Sequence, residues 1–176
     1  MVEQYYPDNV LRFCPQCGSK GFEPESSKSL KCKECGFRYF INPVAAVTAL
    51  IFDGKKRLLL TYRRNDPASG MLDLPGGFVD KNERAEDALV REIKEELNLD
   101  IDSFKFYGTF PNEYLFGGIV YFTLDIVFVC NVSDLSKLRP ADDVTSCVFI
   151  SPKLINLHEV GLNSAKNIIQ AYLSSN

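Results

Sequence analysis

The sequence predicts an α+β protein in which a mixed β-sheet is sandwiched between helices and preceded by a small metal-held segment. Three observations carry this reading. From Asn42 onward, strand-like apolar runs alternate with two segments of helical periodicity. Residues 1–40 are polar and hold four of the six cysteines, in two C-x-x-C pairs. A hydrophobic content of 45% over 176 residues suits one ordinary folded domain with a small appendage. The composition changes near residue 40, so the expected segments are 1–40 and 41–176.

Too few apolar residues occur in 1–40 to build a core, and Glu23-Pro24-Glu25-Ser26-Ser27-Lys28-Ser29 reads as a loop. A metal therefore has to hold the segment together. Cys14-Pro15-Gln16-Cys17-Gly18 and Cys32-Lys33-Glu34-Cys35-Gly36 are matching knuckles. Each sets two thiolates on a tight turn, and the glycine relieves backbone crowding around the ion. Two knuckles make a closed four-cysteine tetrahedron, the arrangement of structural Zn²⁺, with no open position for chemistry. The alternative is four reduced, unliganded thiols. Cys130 and Cys147 lack partner spacing and read as small core residues.

In the second segment, Val44–Phe52 and Arg57–Arg63 read as strands joined by a hairpin signal, Asp53-Gly54-Lys55-Lys56. Met71–Leu74 is a short extended piece, followed by an expected turn at Pro75-Gly76-Gly77. Residues Glu83–Leu97 carry the clearest helical repeat, with Ala85, Leu89, Ile93 and Leu97 every fourth residue. Asn98 is placed to cap that helix in the left-handed region. Further strands are expected at Ile101–Gly108, Ile119–Cys130 and Val144–Ile150. Ser151-Pro152 opens a short helix. A last helix, Leu162–Leu173, sets Leu162, Ala165, Ile168, Ile169 and Tyr172 on one side.

The net charge of -3 and pI near 5.3 give no global attraction to nucleic acid or an acidic membrane. An anionic ligand must be handled locally, by a metal or a few basic groups. The N-terminal residues lack the basic and apolar regions of a secretory signal. The longest apolar stretches are too short to span a bilayer, and Asp125 interrupts one of them. A cytoplasmic protein is expected.

The Glu83–Leu97 helix contains an anomaly. At about 100° per residue, Glu96 falls within the apolar stripe beside Leu89, Glu92 on its edge, and Glu95 further round. Solvated glutamates belong opposite the stripe. Three carboxylates at i, i+3 and i+4 repel one another unless a cation neutralises them. Together they make an oxygen-rich set suited to Mg²⁺ or Mn²⁺; taken alone, they also fit an ordinary acidic helix end. The Leu74-Pro75-Gly76-Gly77 segment, where backbone approaches a ligand closely, weighs toward the metal. Glu83 and Arg91 are placed to pair and fix the loop to the helix.

These residues resemble the Nudix box, G-x5-E-x7-R-E-U-x-E-E-x-G-U with U apolar. The match runs from Gly77 through Glu83 to Arg91-Glu92-Ile93-Lys94-Glu95-Glu96-Leu97-Asn98-Leu99. Asn98 replaces the late glycine, and Asn82 stands where members often have Gly. The resemblance extends in outline over about 42–175 and implies a Nudix fold with the box as a loop, helix and loop. It implies metal ligation by Glu92, Glu95, Glu96 and the Gly76 carbonyl, with mainly structural roles for Gly77, Glu83 and Arg91. A zinc ribbon before such a domain looks like the arrangement in NADH pyrophosphatases and some FAD- or ADP-ribose-hydrolysing relatives.

The implied activity is metal-dependent hydrolysis of a diphosphate in a small nucleotide substrate. In many relatives a carboxylate from a later loop takes the proton of the attacking water; here that loop is Arg139–Val144, and Asp143 aligns best. Two exposed turn aspartates are the plain alternative. Arg63 and Arg64 are candidates for phosphate contact, and Phe110, Tyr114 and Phe116 for stacking on a base. His158, the only histidine, reads as a surface or packing residue. The S-Q-P-W-P-F-P-x-S stretch of NADH pyrophosphatases is missing, and no Trp is present. A strict NADH assignment is thereby disfavoured. Rival readings are a nucleoside triphosphate pyrophosphohydrolase, a nucleotide-sensing zinc-ribbon regulator, and an interaction module whose ribbon holds a homodimer; the last is compatible with activity.

Overall fold

The computed structural model describes residues 2–175. The described chain divides into two compact units, one of residues 2–44 with 113–122 and one of 45–112 with 123–175.

The first unit opens with a one-turn helix, α1 (Pro7–Val10), begun by a proline whose missing N–H costs nothing there. Three antiparallel strands follow in the order β1 (Phe22–Ser26), β2 (Ser29–Cys32) and β3 (Arg38–Phe40). The expected Glu23–Ser29 loop is therefore mostly strand. Its charged, Pro-bearing composition disguises an edge strand, where Pro24 is tolerated because one side of the ladder is unpaired. Glu25 on β1 pairs with Arg38 on β3 through two hydrogen bonds, 2.5 and 2.7 Å. The core is small, as composition required: Cys14, Phe22, Leu30 and Cys32, flanked by Leu11, Phe37 and Ile41. Tyr6 also binds residues 113–122, donating to Glu113 Oε1 at 2.7 Å and meeting Phe122 edge-on.

Two further sheets lie mainly in the second unit. Strands β4 (Val44–Ile51), β5 (Leu58–Arg63), β6 (Leu72–Asp73) and β7 (Gly76–Phe78) precede helix α2 (Ala85–Leu97). Strands β8 (Ser103–Phe116), β9 (Ile119–Asn131) and β10 (Val144–Ile150) precede helix α3 (Asn163–Ser175). One sheet runs β7-β4-β9-β8 and the other β10-β5-β6. The expected β4–β5 hairpin is not formed. Asp53 Oδ1 accepts the Lys55 and Arg57 N–H groups and closes the turn, but only a Phe52–Leu58 bridge follows before the strands part into different sheets. The reason lies in their apolar content. Val47, Ala49 and Ile51 pack with α2, whereas Leu50 packs with α3. Phe128 and Cys130 of β9 likewise go to α2, and Val127 to α3. Strands buried on both faces read as continuous apolar runs rather than alternation.

Two other boundaries differ from expectation. β8 extends to Phe116, beyond Gly108, because an edge strand accepts Pro111; Gly117 and Gly118, both at positive φ, then make the reversal into β9. Ser151-Pro152 leads into a single 3-10 turn, Pro152–Leu154. Cys130 is buried in the α2 core, and Cys147 packs at its margin. Among the described residues no helix is long and apolar enough to cross a membrane.

Candidate active site

The two cysteine knuckles superpose in their chemistry. Gly18 N–H bonds to Cys14 O at 2.8 Å and Gly36 N–H to Cys32 O at 3.0 Å, with both glycines at φ +74°. All four Sγ atoms lie within 4.8 Å of one another, with Cys17–Cys32 at 3.6 Å and Cys14–Cys35 at 3.7 Å. N–H groups of Cys35 and Glu34 hold the Cys32 thiol down to about 7. A compact set of four sulfurs fits a thiophilic divalent ion and leaves no coordination position for a substrate.

The second constellation is built on α2. Glu83 lies just ahead of the helix, accepting the Asp80 N–H at 2.8 Å and the Arg91 guanidinium at 2.8 and 2.9 Å. These partners hold its carboxyl down at about 2. Arg91 also reaches Phe78 O at 3.1 Å, Glu92 at 2.7 Å and Glu95 at 3.1 Å. One guanidinium thus ties the glycine strand, the loop and two helix carboxylates together. Asn98 ends the helix at φ 54°, ψ 29°, so Asn supplies the left-handed cap expected of it.

Glu96 is the buried member, only 7% exposed among Ala88, Leu89, Ile93 and Leu97. Its Oε2 accepts the Gly76 N–H at 2.9 Å. Burial pushes its carboxyl up to about 8; the Gly76 N–H opposes the shift, and the charges of Glu92, Asp73 and Asp143 add to it. Burial also raises Glu92, whose carboxylate lies flat over Gly77: a Cβ there would stand 2.4 Å from it. Gly76 and Gly77 are in β7, paired with Thr48 and Val47 of β4, rather than in the expected turn. The glycines serve the close approach of a strand to carboxylates.

The three glutamates are not gathered on one point. Among the described residues, only the cysteines bring three or more ligand atoms within 4.8 Å. Glu92 and Glu95 are held by Arg91, and Glu96 by Gly76. The donor set is all oxygen, which suits a hard cation, and among the described residues the hydrogen bond to the Glu96 carboxylate comes from the Gly76 N–H.

The later loop is brought to the helix. Arg139 N–H bonds to Leu97 O at 2.9 Å and Ala141 N–H to Glu96 O at 2.8 Å, satisfying carbonyls at the end of α2. Asp142 is at φ 49°, and its charge contributes to the raised Glu92, as that of Asp143 does to Glu96. Asp143 is exposed.

Arg63 departs from its expected role. Its Nη1 is 2.6 Å from Asp73 Oδ2 and its Nε donates to Pro67 O, because the buried Asp73 carboxylate demands a cation. Asp73 is the residue the sequence reading missed; a lone acid inside an apolar strand beside the glycines was the available signal. Arg64 is exposed, with Nη2 donating to Val144 O. Phe110 stacks on Tyr107 within the α3 core. In the other unit, Tyr114 stacks on Phe116 at 6.2 Å. His158 is exposed in a 3-10 turn.

Residues 42–172 match the NUDIX domain model. The chain belongs to the Nudix family. Among the relatives, an ADP-ribose pyrophosphatase of Methanocaldococcus jannaschii is 34% identical over 129 residues, which cover 70% of this chain and 73% of that protein. The NAD-capped RNA hydrolase NudC of Vibrio atlanticus is 26% identical over 144 residues, 81% of this chain but 53% of that protein. The chain thus spans about half the length of that relative. A Nudix hydrolase structure from Nitrosomonas europaea superposes with a TM-score of 0.66 at 22% identity, covering 94% of this chain and 92% of the other. That likeness supports the Nudix fold.

Proposed function

We propose that this Nudix domain hydrolyses the diphosphate of a nucleoside-diphosphate-linked compound of the ADP-ribose, NADH or FAD type. The observation that carries the reading is Glu96, a carboxylate buried on the apolar face of α2 against Gly76 of β7. A protein that only needed a helix would keep that charge in water. The relatives named for ADP-ribose and NAD-capped RNA support a diphosphate joining two larger groups over a free triphosphate.

Glu92, Glu95, Glu96 and the Gly76 carbonyl would hold Mg²⁺ or Mn²⁺. When bound, such an ion supplies charge neutralisation to adjacent phosphates and a lowered pKa to water. Arg91 and Glu83 fix the carboxylates against β7. Asp143 takes the proton of the attacking water as its oxygen bonds to phosphorus and the bridging P–O bond breaks toward the leaving phosphate. Arg64 contacts phosphate, and Arg63 and Asp73 anchor the adjoining strands. Incubation with ADP-ribose, NADH, FAD and nucleoside triphosphates, followed by mass spectrometry, tests the reading. Mg²⁺-dependent release of a nucleoside monophosphate from a diphosphate-linked compound is expected. Cleavage confined to triphosphates overturns it.

We further propose Zn²⁺ on Cys14, Cys17, Cys32 and Cys35. Purified protein should carry about one zinc per chain. Cys32→Ser should lower zinc content and the melting temperature, because the seven-residue core around the knuckles has little else to hold it. A folded, metal-free preparation with four freely titrating thiols contradicts this.

A further inference from the structure

We propose that Asn65 is a positioning residue for Asp143, holding that carboxylate toward the acidic face of α2. The proposal rests on the reading of Asp143 as the group that takes the water's proton, and it names the side chain that aims it.

Asp143 sits on an exposed loop, and an exposed aspartate on a loop ordinarily samples several rotamers. Here its carboxylate is tied. Asn65 Nδ2 donates to Asp143 Oδ1 at 2.6 Å across 78 residues of sequence. The backbone is tied from the same segment: the Arg64 N–H donates to Asp143 O at 2.8 Å, and Arg64 Nη2 to Val144 O at 3.1 Å. On the other side, Ala141 and Arg139 donate to the last carbonyls of α2. The loop is clamped between the end of β5 and the end of α2, with Asp142 at positive φ between the clamps.

These bonds divide the work. Backbone bonds from Arg64, Arg139 and Ala141 fix where the loop runs, and they survive any change of the Asn65 side chain. The Asn65 amide alone, among the hydrogen bonds described, fixes where the Asp143 carboxylate points. It engages one oxygen as a neutral donor, leaving Oδ2 available as a proton acceptor.

A double-mutant cycle tests the assignment in the whole 176-residue chain, with ADP-ribose and Mg²⁺ in the assay. Asn65→Ala should lower kcat about tenfold with KM nearly unchanged, since misaimed chemistry rather than binding is lost. Asn65→Asp, of the same size but without the donor, should lower it at least as far. On an Asp143→Ala background, Asn65→Ala should cost nothing further. Equal losses from Asn65→Ala with and without Asp143 overturn the positioning role, as does an unchanged kcat in the single variant. The parent reading is judged separately by Asp143→Ala alone: undiminished kcat there removes Asp143 from the chemistry and this proposal with it. Because Asn65 is exposed, thermal melts should show all variants folded.

Discussion

Glu96→Gln should lower turnover by roughly two or more orders of magnitude while the fold persists. The substitution keeps the volume, and the glutamine carbonyl can still accept the Gly76 N–H that Glu96 Oε2 accepts at 2.9 Å. What it removes is the capacity to carry negative charge. In the metal-free protein that charge is a burden, since burial holds the carboxyl up to about 8. The folded pKa lies above the ordinary carboxylate value, so the burden is absent at low pH and grows as pH rises toward 8. Thermal stability without metal should therefore match or exceed that of the parent at pH 8, even as activity is lost. Opposite movements of melting temperature and kcat distinguish a ligand from a structural residue. Near-normal turnover would remove Glu96 from the site.

Gly76→Ala should be among the most destabilising single changes in the molecule, by about 3–5 kcal/mol in a denaturant melt. Two costs add. The backbone stands at φ +145°, a conformation that side chains rarely adopt, and a Cβ would lie 2.0 Å from the carbonyl oxygen of Val47. That oxygen belongs to a central strand and cannot give way. Gly77→Ala is the instructive contrast. Its Cβ would meet the Glu92 carboxylate at 2.4 Å, the movable end of a side chain. The fold should survive with a smaller loss while Glu92 is displaced, so activity falls more than stability. Equal stability of Gly76→Ala and the parent would refute the strand geometry.

How much of this was legible in the chain follows from the range of the interactions. Local patterns transferred well: the helical repeat of α2, its Asn98 cap, the misplaced Glu96 and the twin knuckles each depend on neighbours within a turn or two. The Glu83–Arg91 pair was also readable, being eight residues apart on adjoining loop and helix. Pairing between distant segments was not. The Asp53–Lys56 signal correctly marked a turn, yet nothing local says that β4 and β5 leave it for different sheets. Gly76-Gly77 looked like a turn because the need for glycine there comes from Val47 O and Glu92, neither adjacent in sequence. Arg63 looked like a free phosphate contact because its partner, Asp73, sits ten residues on in a strand of one charge among apolar residues. Asn65 carried no signal at all, since an Asn beside Asp-Pro in a loop has an ordinary explanation.

The placement of Gly76–Phe78 as a strand paired to β4 decides which parts of the site can move. Ala46, Val47 and Thr48 hold these three residues in ladder pairs, and the Ala49 N–H reaches back to Pro75 O at 2.9 Å. Segments bonded so continuously to a central strand open only when the sheet does. The glycine wall is therefore an anvil and not a flap. Any movement that accompanies ligand entry or release has to come from segments outside this ladder.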